Sequence, residues 1–354
     1  MKVQGVLYVE IYVGMAKMVV WWHQMALGFT LMGIKEKTGE YGREITYWLK
    51  HGESNILITS ALEPAAQDLV SFVDKHGNSI KRFGIEVDSI EETEIALSNS
   101  SAIITRQKKM ERFNEETSSS IHIKLFDDNE LTFVERKNTD APFAGFTKTN
   151  QTQNDHFIKR IDHLASVVRI NEGEYWNKYL SQILNLNLVQ TIGEEFFSNL
   201  LSGMKMFVLS TPNNSFNKVI VEPLPEKLRK SQVDVFLSNH LGNGIQHLAF
   251  EVEDLISTVI KLKKNGVNFT AVPSRYYDEL AEHSPELPID TLRKANILCE
   301  KEGDKMLLQV FTEPIGDRPT LFYEFVQRIN NFNGFGSENI KQLFKSLELH
   351  LPND

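Results

Sequence analysis

Short runs of β-branched and aromatic residues alternate along this chain with segments whose apolar residues recur every three or four positions. The first pattern is typical of strands and the second of amphipathic helices. Apolar periodicity after Asp254 and Ser337 predicts helices that begin at those residues. The second helix, predicted over 337–349, follows the glycine hinge 334–336, which would allow it to move as a lid. We therefore expect an α+β fold with a C-terminal lid helix.

The pattern of the first half returns in weaker form in the second half. The strand-like run that begins at Tyr8 is followed by a helical segment carrying tryptophan, and the run that begins at His163 is followed in the same way. The strand-like run 83–87 is likewise echoed by 248–252. Self-similarity of this kind indicates two related domains, each built from repeated βαβββ modules.

A polar segment marks the boundary between the two predicted domains. Residues 138–157 are rich in Asn, Thr, Asp and Gln and show no sustained periodicity. We expect an N-terminal, non-catalytic domain over 1–137, a linker over 138–157, and a C-terminal, catalytic domain over 158–354.

Length and composition are those of an ordinary globular protein with two domains. The 354 residues are 41% hydrophobic and 24% charged, and no apolar run approaches the length that crosses a bilayer. The N-terminus lacks the layout of a signal peptide, and the lone Cys299 cannot form an internal disulfide, so we expect a cytoplasmic protein. A net charge of -9 disfavours nucleic acids and anionic membranes as partners. The expected partner is a small molecule.

Three strand-like runs in the second half each contain one side chain that could bind a metal ion. They are His163 in Ile-Asp-His-Leu, His247 in Gly-Ile-Gln-His-Leu, and Glu324 in Leu-Phe-Tyr-Glu-Phe. Non-haem Fe(II) oxygenases hold iron with two imidazoles and one carboxylate, which leaves positions open for substrate and dioxygen. A single histidine on an apolar strand is more often a core residue, so this interpretation depends on all three side chains together.

Glu324 is the strongest of the three candidates, because an unpaired carboxylate among aromatic residues would cost on the order of several kcal/mol. Arg328 lies too far along the same strand to pair with Glu324, so a metal ion is the better partner. The alternative is that Glu324 faces solvent. When the two halves are aligned by their repeated phrases, the first-half counterparts of the three ligands are Val9, Arg82 and Glu135. Valine cannot bind a metal ion and arginine repels one, so we expect no such site there.

Amide and aromatic side chains accompany the three ligands in the sequence. Strand alternation places Gln309 and Phe311 on one face of a strand, as it does for Phe322 and Glu324. Gln246, next to a predicted ligand, should point to the opposite face and orient that ligand from behind. An aromatic-lined cleft with a few amides beside a metal ion suits a flat aromatic substrate, although core packing is the commoner role of each phenylalanine.

Several longer phrases of the second half are specific as a set. They are Ile161-Asp162-His163, Lys230-Ser231-Gln232, Gly-Ile-Gln-His-Leu-Ala at 244–249, Pro-Ser-Arg-Tyr-Tyr at 273–277, Leu-Leu-Gln-Val-Phe-Thr at 307–312, Asp-Arg-Pro-Thr-Leu-Phe-Tyr-Glu at 317–324, and Gly-Phe-Gly-Ser-Glu-Asn at 334–339. In these phrases the chain resembles the family of 4-hydroxyphenylpyruvate dioxygenase and 4-hydroxymandelate synthase, within the vicinal-oxygen-chelate superfamily. The first half matches more loosely. The resemblance implies two vicinal-oxygen-chelate domains with curved mixed sheets that form open barrels.

The same resemblance implies roles for individual residues. It implies Fe(II) bound by His163, His247 and Glu324, with an arylpyruvate and dioxygen as substrates. The 2-oxo acid would bind the iron through its carboxylate and keto oxygens, and no separate 2-oxoglutarate would be needed. The expected catalytic side chains are Gln232, Gln246 and Gln309. The expected substrate-binding side chains are Met206, Val219, Val221, Phe311, Phe322, Phe335, Ile340 and Phe344.

Four departures from the family phrases bear on the product. Val221 stands where the dioxygenases have asparagine. Ile340 stands where they have phenylalanine, and at this position the chain is similar to the mandelate synthases. Phe344 is instead dioxygenase-like, and Met206 stands where both groups have serine. Val221 and Ile340 favour 4-hydroxymandelate as the product, Phe344 favours homogentisate, and Met206 bears on the polar end of the substrate. Homogentisate, the product of the dioxygenases, and oxidation of a less polar 2-oxo acid are the open alternatives.

Two further expectations concern protein class and assembly. A non-catalytic binding protein of the same superfamily is the alternative from another class, and the intact ligand set disfavours it. The first half, without a metal ion of its own, offers a surface for a homo-oligomer, although the sequence does not define the oligomeric state.

Overall fold

The described part of the chain, in this computed structural model, comprises residues 5–39, 42–152, 156–212, 215–225 and 227–348. The first half contains β1 (Val6–Tyr12), α1 (Ala16–Leu27), β2 (Thr30–Gly39), β3 (Gly42–His51), β4 (Ser54–Ala61), α2 (Gln67–His76), β5 (Ser79–Glu86), α3 (Ile90–Ser98), β6 (Ile104–Phe113), β7 (Glu116–Leu125) and β8 (Asn129–Lys137). The short β9 (Thr147–Lys148) follows within the predicted linker. The second half contains β10 (Ile158–Val167), α4 (Gly173–Leu184), β11 (Asn187–Ile192), a short 3-10 helix (Glu194–Phe197), β12 (Met204–Ser210), β13 (Asn217–Pro223), α5 (Gln232–His240), β14 (Gly244–Val252), α6 (Leu255–Lys264), α7 (Ser274–His283), α8 (Ile289–Ala295), β15 (Leu298–Glu302), β16 (Lys305–Phe311), β17 (Phe322–Ile329) and α9 (Ser337–Glu348).

The strands form two mixed sheets that share one strand order. The first sheet runs β6-β7-β8-β5-β1-β4-β3-β2-β9, and the second, read from its far edge, runs β15-β16-β17-β14-β10-β13-β12-β11. Thus β10 corresponds to β1, β14 to β5 and β17 to β8, with the same parallel and antiparallel pairings. The predicted α+β fold of two related units is confirmed. The domain boundaries stay a prediction, and residues 1–4, 153–155 and 349–354 lie outside the described part.

Local sequence explains the helix starts that border the site. The hydroxyl of Ser231 accepts from the backbone N–H groups of the first turn of α5, and the Asp234 carboxylate accepts from the Ser231 N–H. The predicted start of α6 after Asp254 is confirmed by the same kind of cap. The lid helix α9 begins at Ser337 as predicted, directly after Gly336 in the left-handed region at φ +72°. No helix among the described residues has the length and apolar character needed to span a bilayer.

Several buried histidines lie where the two halves meet, among them His23, His51 and His240. His23 on α1 is 2.6 Å from the hydroxyl of Tyr323 on β17, and His51 at the end of β3 accepts from the N–H of Ile158 at 3.4 Å. His240 on α5 contacts a serine hydroxyl at the start of β5, 3.2 Å away. Burial lowers the pKa of His23 and His51 to about 4 and the pKa of His240 to about 3. These imidazoles are therefore uncharged at neutral pH.

Candidate active site

The three predicted ligands lie on three neighbouring strands of the second sheet. His163 is on β10, His247 on β14 and Glu324 on β17, and His163 and Glu324 stand on either side of Ala249. His247 precedes Ala249 by two residues and so faces the same side. The Nε2 atoms of His163 and His247 are 3.1 and 3.4 Å from Glu324 Oε2, and the three ligand atoms lie within 4.8 Å of one another. One metal ion could contact all three.

Burial and mutual charge decide the protonation of these ligands. Burial alone would lower the pKa of His163, but the carboxylates of Glu324 and Asp162 outweigh it and raise the pKa to about 9. Burial would raise the pKa of Glu324, yet the two histidines lower it to about 2. Burial also lowers the pKa of His247. Two imidazoles and an ionised carboxylate around one point fit a divalent metal ion, which would displace the proton of His163.

A β-bulge in β10 explains how Asp162 reaches the ligand that follows it in sequence. Ile161 pairs with Phe250 and His163 pairs with Ala249, so Asp162 is an extra residue on its strand. Its carboxylate oxygen is 2.7 Å from His163 Nδ1. A proton on Nδ1 that is donated to Asp162 leaves Nε2 to face the metal position.

The expectation that Gln246 points away from His247 is wrong. Ala165 pairs with His247 and Ser166 pairs with Ile245, so Gln246 is the extra residue of a second bulge. Because a bulge interrupts the alternation of side chains, Gln246 lines the same cavity as His247. Its Oε1 atom is 3.3 Å from His247 Nδ1. The role of Gln246 in orienting this ligand stays a prediction.

A cavity of about 210 Å³ lies over the three ligands. It brings together every catalytic and substrate-binding residue predicted above: Met206, Val219, Val221, Gln232, Gln246, Gln309, Phe311, Phe322, Phe335, Ile340 and Phe344. Their individual roles stay predictions. The cavity is also lined by residues that sequence reasoning missed: Met204, Val233, Val235, Phe236, Thr270, Thr312, Pro314, Pro319 and Leu343. Periodicity could have found Met204, two positions before Met206 on β12, but the threonines and prolines lie outside the named helices and strands.

Aromatic rings cover both imidazoles. Phe322 stacks on His247 with ring centroids 4.8 Å apart, and Phe335 meets His163 edge to face at 5.7 Å. Phe311 contacts His247 from another side, with its ring centroid 6.1 Å away. Such rings exclude water from the ligands and offer a flat apolar surface to a substrate.

Gln309 connects the carboxylate ligand to the lid helix. Its Nε2 atom donates to Glu324 Oε1 at 3.1 Å, and its side-chain amide is 2.9 Å from the side-chain amide of Asn339 on α9. Gln309 therefore holds one oxygen of Glu324 while the other oxygen faces the histidines.

The wall of the cavity away from the ligands is apolar. Met206 on β12 pairs directly with Val221 on β13, so two of the departures from the family phrases form one continuous patch. Ile340 and Phe344 of α9 belong to the same apolar cluster. This patch presents carbon and sulfur atoms where the family phrases have hydroxyl and amide groups.

The register of the first sheet corrects two of the three predicted counterparts. Residues equivalent to the ligands by strand pairing are Tyr8, Arg82 and Thr132. The predicted counterparts Val9 and Glu135 are wrong, because matching short phrases does not determine which residues stand opposite each other across strands. Arg82 was placed correctly, and its buried guanidinium occupies the position of His247. The expectation of no equivalent metal site in the first half therefore rests on Arg82, as predicted, and on Tyr8 and Thr132 in place of Val9 and Glu135.

Both bulges recur in the first sheet. Leu7 is the extra residue between Val6 and Tyr8 on β1, as Asp162 is on β10. Lys81 is the extra residue on β5, as Gln246 is on β14. The irregular backbone is thus common to both domains and does not depend on metal ligands.

Comparison with known proteins gives four consistent matches. The sequence profile of the Glyoxalase/Bleomycin resistance protein/Dioxygenase superfamily matches residues 160–284. The chain is 29% identical to a 4-hydroxyphenylpyruvate dioxygenase of Yarrowia lipolytica, over 98% of this chain and 91% of that protein. It is 26% identical to a 4-hydroxyphenylpyruvate dioxygenase of Aspergillus fumigatus, over 98% and 92%. A solved structure of a mutant 4-hydroxymandelate synthase from Streptomyces coelicolor is 25% identical, covers 99% of both chains and has a TM-score of 0.84.

Proposed function

We propose that this chain, which belongs to the family of 4-hydroxyphenylpyruvate dioxygenase and 4-hydroxymandelate synthase, converts 4-hydroxyphenylpyruvate and dioxygen to 4-hydroxymandelate and carbon dioxide. Its relatives support the coarser statement that it is a 2-oxo acid oxygenase acting on an arylpyruvate. The observation that carries the proposal is the cluster of His163, His247 and Glu324 beneath an aromatic cavity that the lid helix covers.

Fe(II) is the metal we propose for this cluster. The donor set of two imidazoles and one carboxylate, open on the cavity side, is the one that non-haem Fe(II) oxygenases use. Bound there, iron supplies an open face on which a 2-oxo acid and dioxygen bind side by side and exchange electrons. Metal analysis after reconstitution with Fe(II), Mn(II), Co(II) and Zn(II), together with oxygen uptake by each form, tests this assignment.

The side chains of the cavity would orient the substrate. The amides of Gln246 and Gln309 lie beside the ligands, where they can donate hydrogen bonds to the carboxylate and keto oxygens of a 2-oxo acid. Phe322 and Phe335 cover the imidazoles and keep water from the reacting end. One oxygen atom of dioxygen enters the carboxylate formed at the former keto carbon, and the other enters the benzylic C–H bond.

The lid wall motivates the choice of product. Ile340 is smaller than the phenylalanine of the dioxygenases and is not planar, so the ring can rest at a different angle and turn the benzylic carbon toward the metal position. The second candidate is 4-hydroxyphenylpyruvate dioxygenase, which forms homogentisate. Phe344 and the names of the curated relatives favour it.

A product assay separates the two candidates. Purified protein would be incubated with Fe(II), ascorbate and 4-hydroxyphenylpyruvate, and the products separated by chromatography against authentic standards. We expect 4-hydroxymandelate as the main product, with one molecule of carbon dioxide released for each molecule of dioxygen consumed. Homogentisate as the main product would contradict our first choice and support the second.

The apolar patch of Met206 and Val221 motivates a variant of the proposal, in which the substrate lacks the para-hydroxyl. We expect comparable kcat/KM for phenylpyruvate and 4-hydroxyphenylpyruvate. Val221→Asn should shift that ratio toward the hydroxylated substrate by roughly fivefold, because one added hydrogen bond contributes about 1 kcal/mol. A wild-type preference for the hydroxylated substrate of a hundredfold or more would rule this variant out.

The expected cytoplasmic location and a homo-oligomeric state complete the proposal. Fractionation of cells that express the protein tests the first, and light scattering of the purified protein tests the second.

A further inference from the structure

Arg328 on β17 links the ligand His163 to the hinge of the lid helix. On one side, its Nε and Nη2 atoms donate to the two carboxylate oxygens of Asp162 at 2.7 and 2.8 Å, and Asp162 contacts His163 Nδ1. On the other side, its Nη1 atom donates to the backbone carbonyls of Phe332 and Gly334 at 3.0 and 2.7 Å. These carbonyls belong to the segment that leads into α9.

Because the guanidinium of Arg328 is planar and rigid, its contacts to Asp162 and its contacts to the hinge move together. The side chain of Arg328 is 12% exposed, and its four hydrogen bonds come from donors fixed in one plane. The ring of Phe335 lies against the guanidinium, 4.9 Å from ring centroid to Cζ, and also against His163. A hinge that moved away would leave the Nη1 donors buried without acceptors, which is unfavourable.

We propose that Arg328 is a positioning residue that makes the closed position of the lid helix and the orientation of His163 depend on each other. With the hinge carbonyls in place, the guanidinium is fixed, Asp162 is held, and His163 keeps Nε2 directed at the metal position. With the hinge displaced, the guanidinium loses two of its four hydrogen bonds and can rotate together with Asp162. Opening of the lid for substrate would loosen one ligand, and closure would restore it. The inference rests on the proposed function only in taking His163 as a metal ligand.

The first domain contains the same arrangement without a metal ligand. Arg136 is the equivalent of Arg328, since each follows the third ligand position, Thr132 or Glu324, by four residues. Its Nε and Nη2 atoms donate to the carboxylate of Glu86 at 2.8 and 3.1 Å, and its Nη1 atom donates to a backbone carbonyl of the segment after β8 at 3.0 Å. Glu86 lies on β5, whereas Asp162 lies next to a ligand on β10. Arg136 is therefore a matched control.

Arg328→Lys and Arg136→Lys test the inference, because lysine keeps the positive charge but cannot hold both sides of the clamp at once. Hydrogen exchange of the backbone amides of 332–344 would be measured by mass spectrometry in the full-length protein, with and without Co²⁺. Co²⁺ affinity would be measured by titration. In the wild type, we expect Co²⁺ to slow this exchange by roughly tenfold. In Arg328→Lys, the slowing should be lost and the Kd for Co²⁺ should rise roughly 10–100-fold.

Arg136→Lys should behave like the wild type in both measurements. Wild-type slowing in Arg328→Lys, or an equal loss in Arg136→Lys, overturns the inference. Should Arg328→Lys fail to fold, Asp162→Asn replaces it, and unchanged exchange of 332–344 in that variant overturns the inference as well. A wild-type protein that binds no Co²⁺ contradicts the proposed metal site instead. The two lysine variants are then compared without metal, where faster exchange in Arg328→Lys supports the clamp and equal exchange overturns it.

Discussion

Mild acid should destabilise this protein strongly, because four buried histidines do not take up a proton in the folded state. Burial lowers the pKa of His23 and His51 to about 4 and the pKa of His122 and His240 to about 3. In the unfolded chain each imidazole has its ordinary pKa of 6.5. Below that pH the unfolded chain binds protons that the folded protein does not, and the equilibrium shifts toward unfolding.

The expected loss is comparable with the whole stability of a domain. Each such histidine removes about 1.4 kcal/mol for every pH unit below its unfolded pKa, which is about 2 kcal/mol at pH 5. The four together remove about 8 kcal/mol, against a typical free energy of unfolding of about 5–15 kcal/mol. Three of the four lie where the two halves meet, so acid should weaken this junction most.

Most other shifted groups do not offset the loss between pH 6.5 and 5; Glu300, whose pKa burial raises, opposes it. The pKa of His163 is raised to about 9 in the metal-free protein, so its contribution is fully present below pH 6.5 and is lost only as the pH rises through 9. The pKa values of Asp128 and Glu130 are lowered to about 2, so their contributions are lost only below the ordinary carboxylate range. Burial lowers the pKa of His247, which adds to the loss.

Urea unfolding of the metal-free protein at pH 7.5, 6.5, 5.8 and 5.0 measures this effect. His23→Gln keeps a polar group near the Tyr323 hydroxyl and should reduce the slope of stability against pH by about a quarter. Met25→Leu, at an exposed position on α1, removes no titrating group and should leave the slope unchanged. A free energy of unfolding that stays flat or rises from pH 6.5 to 5 would refute the reasoning.

Three further predictions concern the site. His247→Ala should abolish oxygen uptake while unfolding stays cooperative, because one of three metal ligands is gone; retained uptake would favour a role that does not use the metal. Ile340→Phe should raise the share of homogentisate among the products, since it restores the planar wall of the dioxygenases, and an unchanged product ratio by chromatography would contradict this. Gly336→Ala should lower kcat and reduce the free energy of unfolding by roughly 1–3 kcal/mol, because its Cβ would lie 1.9 Å from Gln309 Oε1 at φ +72°. Wild-type stability in urea would count against it.

Periodicity and local phrases were enough to predict the fold class and to select the side chains that meet at the site. His163, His247 and Glu324 stand out because each is a polar residue inside an apolar strand-like run, and strands of that kind are buried. The start of α9 was also readable, since a serine, a residue type common at helix starts, follows a glycine hinge. These signals are local, and each depends on a few neighbouring residues.

What sequence could not supply is the pairing between strands. The bulge at Gln246 reverses the side to which that residue points, and the alternation of apolar and polar residues in β14 does not predict the bulge. The partner of Arg328 was missed for the same reason: Asp162 is distant in sequence and lies on a strand that is not adjacent to β17. The shift from Glu135 to Thr132 likewise follows from register alone. Errors of this kind are expected wherever a role depends on which residues stand opposite.

Because the bulges are shared, the first domain has the same strand backbone as the one that carries the three ligands, but with other side chains at those positions. Replacing Tyr8 and Arg82 by histidine and Thr132 by glutamate would set the same three donor groups on the corresponding strands, while Leu7 and Lys81 already provide the irregular spacing around them. A duplicated scaffold in which only the second half carries the three ligands therefore lends itself to grafting, since three substitutions would give the first half the same set of side chains.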